Sequence, residues 1–350
     1  MKKRLLSSLL TLCLLLGLFP TAALAVGDGE NLEPAEQTRE MHEGHDGWTE
    51  LSAEMLDSRK TATLTGGSYY LADDLEARTL TITGEVTICL NGRTMTWTKR
   101  GTYETLEALF QVNSGATLHL CDCAEAESRG MITGMNYSGA LINNEGTVDL
   151  YRVHLDLRSE RYYGKALQNR SGAEAMVEDC YFTQKDYAVY DSHGIDNNGT
   201  ATVKNTEFDG FGVSVFNRQG TLTMENCTTE NPYFTSLVNS SGTAKDNIKP
   251  ASAELTNCTL AAGIYEYGSV SCAVYNGGDI HSSNVQHDEY GGRLSLTSCV
   301  VAGIRSYSNN TSDQAAIDPK EVVVTIQGGS YTGEIYSSGQ LTITGATVNG

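Results

Sequence analysis

The stretch Asn217-Arg218-Gln219-Gly220-Thr221-Leu222-Thr223-Met224-Glu225-Asn226-Cys227-Thr228-Thr229 decides the fold. It opens with an asparagine and a glycine-containing corner. An apolar pair at i, i+2 follows (Leu222, Met224), then a two-residue bend and a second pair (Cys227, Thr229). Apolar residues at every second position mark strands with one buried face.

Outward from this stretch the pattern recurs from Leu109 onward. The corner residue is read at Asn113, Asn143, Asn169, Asp191, Asn217, Asn239, Asn276, Asp318 and Ser337. Two positions before it stands an apolar residue (Leu141, Leu167, Val189, Val215, Leu237, Val274, Ala316, Ile335), with Gln111 the exception. After it comes a pair such as Val148/Leu150, Ala201/Val203 or Leu294/Leu296, then a second such as Cys180/Phe182 or Cys299/Val301. Each unit, about twenty residues at its shortest, supplies three short strands. One unit cannot bury its own apolar face, whereas stacked units can. The expectation is an all-β, right-handed parallel β-helix of about nine to ten coils with three strands per coil. A β-sandwich is the rival, but its hairpins require turn signals between every strand pair.

The chain divides into three segments. Met1-Lys2-Lys3-Arg4, the apolar run Leu5 to Phe19 and Ala23-Leu24-Ala25 read as a secretory signal peptide, residues 1–25. Residues 26–62 read as a polar, poorly ordered leader. Residues 63–350 form the β-helix domain, opening with Tyr69-Tyr70-Leu71, Leu80-Thr81-Ile82 and Val86–Leu90, with a turn at Asn91-Gly92. The last repeat begins at Leu341, and a chain truncated at its C-terminal end is expected.

The formal charge is −19, from 24 basic and 43 acidic residues. Removing Lys2, Lys3 and Arg4 leaves 21 basic against 43 acidic, or −22. That charge argues against nucleic acid and anionic membrane surfaces as partners. It leaves carboxylates for a cation such as Ca2+; no other cofactor is expected. Eight cysteines follow the leader. Cys180, Cys227, Cys258 and Cys299 share one inward position and read as a ladder of buried free thiols. Cys121-Asp122-Cys123 lacks a second pair for zinc, and His42 and His45 lack further ligands at a recognised spacing, so no metal ligand is assigned.

Three units lengthen the step from corner to next strand: Asp191 to Ala201, Asn239 to Ala253 and Asn276 to Leu294. Insertions from one corner project side by side, and such faces often bind. A second variable joint is read at Val301 to Ala315. The row before each corner points outward and reads Ile142, Gln168, Tyr190, Phe216, Val238, Tyr275, Ile317 and Tyr336. Its aromatics Tyr190, Phe216, Tyr275 and Tyr336 are candidate ligand-binding residues, by stacking on sugar rings, unless the insertions fold over them. His287 with Asp288 or Glu289 forms a candidate acid–base or cation-holding group. Asp186, Tyr187, Asp191, His193 and Asp196 form a second cluster. Outward positions of the first strand (Thr202, Thr223, Glu254, Ser295, Thr325, Thr342) read as a solvated surface. There is no phosphate-binding glycine loop, G-x-S-x-G elbow or H-E-x-x-H motif, and no catalytic residue is assigned.

The Gly-Thr-apolar-x-apolar and Asn-Cys-Thr runs resemble the pectin-lyase-like right-handed parallel β-helix superfamily. Gly67–Leu71, Val86–Gly92 and Ser114–Cys123 look like large secreted or cell-surface β-helix proteins of Gram-positive anaerobic bacteria. The resemblance covers about residues 63–350 and implies a surface scaffold or adhesin. Superfamily enzymes imply the alternative of a polysaccharide lyase or glycoside hydrolase, using clustered Asp with Lys or Arg on one outer sheet. A non-catalytic carbohydrate-binding protein is the third reading. Glycans or host and cell-surface polymers are the expected partners, and the location is secreted or cell-surface.

Overall fold

The computed structural model describes residues 42–349 apart from 99–106, 137–138, 160–163, 185–191, 243–247, 265–271, 278–289 and 309–319. These residues wind as an all-β parallel β-helix. Its first face is one sheet of twelve strands paired in chain order, from Thr49–Glu50 through Thr221–Glu225 to Gln340–Thr344. Thr221–Glu225 shows the register: Leu222 lies between Ala201 and Ala253, and Met224 between Val203 and Leu255. All four neighbours are buried, as are Leu222 and Met224. Burying such a side chain contributes roughly 1.5–3 kcal/mol, so each coil depends on the next for its stability.

In six successive coils the two-residue bend after the first-face strand places its first residue at positive φ. That residue is Arg152, Asp179, Asn205, Asn226, Asn257 or Ser298 in successive coils, with φ between 47° and 60°. Asn and Asp tolerate this region better than most residues, because their short side chains can bond locally. The bent N–H groups are used: Asn226 donates to the Thr256 carbonyl at 3.0 Å and Asn257 to Thr297 at 2.9 Å. The chain thus turns a corner without interrupting the inter-coil ladder.

The other twenty strands form one sheet containing two ladders. The second face holds Thr94–Trp97, Met131–Asn136, His154–Ser159, Tyr181–Thr183, Glu207–Asp209, Thr228–Glu230 and Thr259–Leu260. The third holds Ala108–Val112, Ala140–Asn144, Lys165–Asn169, His193–Asn197, Val213–Arg218, Thr235–Ser240 and Val274–Asn276. Val300–Ser306 and Ser330–Ser337 run through both faces. Gly303 makes the bend between the faces in the first of these, at φ 88°. A Cβ there would lie 3.0 Å from the Cys272 Cβ.

Asparagines line the corner from third face to first. Asn144, Asn169, Asn197, Asn217, Asn239 and Asn276 are fully buried. Each Nδ2 donates to the next Oδ1 at 2.7–2.8 Å, and the chain of amides ends on Ser306 Oγ at 2.9 Å. The same Nδ2 atoms reach backbone carbonyls, such as Asn217 to Ser252 at 2.9 Å. A Cβ at Gly220 would come within 2.6–2.7 Å of the Asn197 and Asn217 amides. The glycine of the opening stretch leaves room for that ladder.

The corner register read from sequence needs correction at four coils. Val112, Asn144, Asn197 and Ser306 hold the position, not Asn113, Asn143, Asp191 and Asp318. At the first two the cause is a double inward step: Leu109 and Phe110, and Leu141 and Ile142, are fully buried in adjacent pairs, so simple alternation admits two registers. At the other two the sequence reading placed the corner six residues too early and twelve too late. Gln111 is therefore no exception among the inward residues; Phe110 takes the inward place and Gln111 faces out. Val189, Ala316 and Ile317 give way to Ile195, Ile304 and Arg305. Leu64 and Ile82 occupy the corner position of coils that precede the repeat aligned from Leu109 onward. A search keyed on asparagine passes over them. Residues 49–62, expected in a polar leader, supply the strand Thr49–Glu50 and the first two residues of Thr61–Leu64 to the coils.

All eight described cysteines are free. Cys180, Cys227, Cys258 and Cys299 are buried in the expected ladder, interrupted by the buried Thr206. Burial pushes the Cys180 thiol up to about 12. No helix among the described residues is long and apolar enough to cross a membrane.

Candidate functional sites

The outward row beside the asparagine corner reads Gln111, Asn143, Gln168, Asp196, Phe216, Val238, Tyr275, Arg305 and Tyr336. Phe216, Tyr275 and Tyr336 hold the outward positions given by the sequence. Ile142 faces inward, with Asn143 in its place. Tyr190, His287 and Asp288 lie outside the described residues, as do Glu289, Asp186, Tyr187, Asp191, Ala315 and Ile317.

The aromatics differ in access. Phe216 is 4% exposed and Val238 fully buried; with Val213 they form a small apolar cluster, against which the half-buried Tyr275 packs. Phe216 stacks on the His193 ring at 5.0 Å and carries the Arg218 guanidinium 4.7 Å above its face. Tyr336 is 43% exposed, with Tyr307 tilted against it at 5.5 Å. Arg305, between Tyr275 and Tyr336 in the row, donates from its Nη2 to Glu334 at 2.7 Å. The row therefore offers one open aromatic, flanked by a neutralised cation.

Insertions leave the corner next to this row. The chain passes from Thr235–Ser240 to Ser252–Thr256, from Val274–Asn276 to Arg293–Thr297, and from Val300–Ser306 to Val323–Gln327. These are three successive coils. Residues 241–251, 277–292 and 307–322 thus depart side by side, where the coil of the opening stretch has only Gln219 and Gly220. Two of the three insertions expected from sequence stand. The third leaves after Ser306, because the corner following 185–191 is Asn197, with only two residues between the His193–Asn197 and Thr200–Lys204 strands. The chain after Val301 runs on as strand through Ser306.

Three carboxylates on the outer faces are engaged. Asp196 Oδ2 lies 2.9 Å from Lys165 Nζ and 3.7 Å from His193 Nδ1. Burial alone would raise its pKa, but the neighbouring His193 and the Lys165 ammonium outweigh it and hold the carboxyl well below its usual range. On the second face, Asp156 accepts from Thr133 at 3.0 Å, Thr183 at 2.9 Å and Arg158 at 3.1 Å. On the first, Asp149 lies 2.9 Å from His119 Nδ1. The sequence reading missed this pair. The signal was present: His119 and Asp149 occupy the outward slot that later coils fill with Thr202 and Thr223.

A separate cluster lies near the start of the described chain. His42, His45, Cys89 and Cys123 each offer one donor atom, and these atoms all lie within 4.8 Å of one another. His42 Nε2 is 3.2 Å from His45 Nε2, Cys89 Sγ is 3.5 Å from Cys123 Sγ, and Cys123 Sγ is 3.8 Å from His45 Nε2. The His42 ring stacks on Trp48 at 4.6 Å and the His45 ring on Tyr70 at 4.6 Å. Cys89 ends the strand Glu85–Cys89, and Cys123 follows Thr117–Cys121. Next to Cys123, the buried Asp122 accepts backbone N–H bonds from Gly92 at 3.2 Å and Ala124 at 2.7 Å. Burial lowers both imidazole pKa values. Burial and then the contact with Cys89 push the Cys123 thiol up to about 12.

Comparison of the chain with protein-family models, with curated proteins and with solved structures returned no match.

Proposed function

We propose that this chain is an extracellular or cell-surface β-helical scaffold, an adhesin that presents loops from one edge of a pectin-lyase-like, right-handed solenoid. The observation that carries the reading is the set of three successive coils inserting 241–251, 277–292 and 307–322 at one corner, beside a row that includes the exposed Tyr336. Insertions gathered on one face of a repeat protein are the usual way such folds build a binding surface. The state of the outer carboxylates supports a scaffold over a hydrolase. A hydrolase needs one carboxyl group held protonated beside a second one. Asp196 is instead engaged by Lys165, Asp156 by two hydroxyls and Arg158, and Asp149 by the His119 imidazole.

The test is a glycan array run beside reducing-sugar and unsaturated-product assays on the purified mature chain. A second protein has residues 277–292 replaced by the Gln-Gly corner of the opening stretch. The expected result is binding of a cell-surface polymer that falls at least tenfold in the replacement, with no product in either assay. Product release that disappears in Asp196→Asn or Asp156→Asn would overturn the scaffold in favour of an enzyme.

A further inference from the structure

We propose that His42, His45, Cys89 and Cys123 form a structural Zn2+ site that staples residues 42–48 onto the first coils. The argument begins with distances. A tetrahedral zinc ion with Zn–S near 2.3 Å and Zn–N near 2.05 Å sets its ligand atoms about 3.8 Å (S–S), 3.3 Å (N–N) and 3.6 Å (S–N) apart. The structure has 3.5, 3.2 and 3.8 Å for the corresponding pairs. Ordinary packing gives no reason for two imidazole nitrogens and two sulfurs to converge on one point. The sulfurs are too far apart for a disulfide, whose S–S bond is about 2.05 Å.

The donor chemistry selects the ion. Two thiolates and two imidazoles in a tetrahedron suit Zn2+; Ca2+ and Mg2+ take oxygen ligands. The two thiols lose two protons as Zn2+ enters, so the closed site is neutral and suits its half-buried position. Four protein ligands leave no open coordination position, which marks a structural rather than a catalytic zinc.

The donors are positioned before any metal arrives. Stacking on Trp48 and Tyr70 holds the two rings. The Trp48 N–H closes a turn on the His45 carbonyl at 3.0 Å. Cys89 and Cys123 are set by two neighbouring strands of the first face. The consequence is mechanical. The strand Thr49–Glu50 is held to Gly67–Tyr70 by only two register pairs, and a zinc staple would lock it there. This inference does not depend on the scaffold reading, and its test reads metal rather than glycan binding.

The experiment is metal analysis of the mature chain, purified with Zn2+ and without reductant, followed by Co2+ substitution and hydrogen exchange. One equivalent of zinc is expected, together with the visible d–d bands and sulfur charge-transfer band of tetrahedral Co2+. Cys123→Ser and His45→Gln should each lose the equivalent, while Cys121→Ser keeps it. Chelation should speed exchange in 42–50 at least tenfold and leave 200–260 unchanged. If Cys123→Ser fails to fold by circular dichroism, the paired change His42→Gln and His45→Gln, in the turn outside the strands, carries the measurement. Substoichiometric zinc, a full equivalent retained without His42 and His45, or a Cys89–Cys123 disulfide found by mass spectrometry would each overturn the proposal.

Discussion

Two asparagines nine residues apart do different work. Asn217 is fully buried, and its amide joins Asn197, Asn239 and the Ser252 carbonyl. Asn217→Ala would strand those partners without water. A buried unsatisfied group costs about 1–3 kcal/mol, so a loss of about 2–3 kcal/mol is expected from urea unfolding. Asn226 is exposed and holds φ 53°. Asn226→Gly should change stability by less than about 0.5 kcal/mol, because glycine enters that region at no steric cost. Asp196 carries a pH signature. Its folded pKa lies below the unfolded value, beside His193 and Lys165. Its stabilisation is therefore complete above the unfolded pKa of about 3.9 and is lost as pH falls through the folded value. Wild type should exceed Asp196→Asn in stability by a constant margin from pH 5 to 7. That margin should shrink on acidification below about pH 4; a margin flat to pH 2 would contradict the assignment.

At the scale of the element, the strand Val300–Ser306 replaces two strands and a turn with one continuous segment bent at Gly303. An alanine there must adopt φ 88° and press on Cys272. Left-handed backbone costs non-glycine residues roughly 1–2 kcal/mol before any clash. Gly303→Ala should therefore lower the free energy of unfolding by at least that much, read as a lower urea midpoint with the slope unchanged. Strands of this kind explain what could be read from sequence. Leu222/Met224 and Cys227/Thr229 were legible, because a strand with one buried face writes a period of two. The corner register was not legible where Leu109 and Phe110, or Leu141 and Ile142, are buried side by side. Periodicity alone cannot say which of two adjacent buried residues leads the corner. Nor could His42, His45, Cys89 and Cys123 be joined by spacing, since His45 and Cys123 are 78 residues apart. Only the stacking of coils makes them neighbours. Phe216 was found by its place in the outward row, but its burial under other groups depends on contacts that no periodicity encodes.

The whole solenoid is a nearest-neighbour stack, so its stability is distributed along one axis. Coils with covered faces on both sides should be the most protected. Leu341, Ile343 and Val348 are 40%, 43% and 47% exposed, whereas Leu222 and Val203 are fully buried. Native-state hydrogen exchange should therefore show protection rising from 340–349 toward 200–260, in steps about one coil wide. Uniform protection along the chain would mean a single cooperative unit and would contradict the stack. The asparagine ladder carries a final consequence, for how such a chain can change length. Every amide in it donates in the same direction, from one coil to the next. Duplicating or deleting an entire coil leaves each remaining amide with a partner of the same kind. Adding one residue inside a strand reverses every side chain beyond it and breaks the relay. Length can thus be gained or lost only in whole coils, while the corner segments beside the ladder are free to lengthen residue by residue.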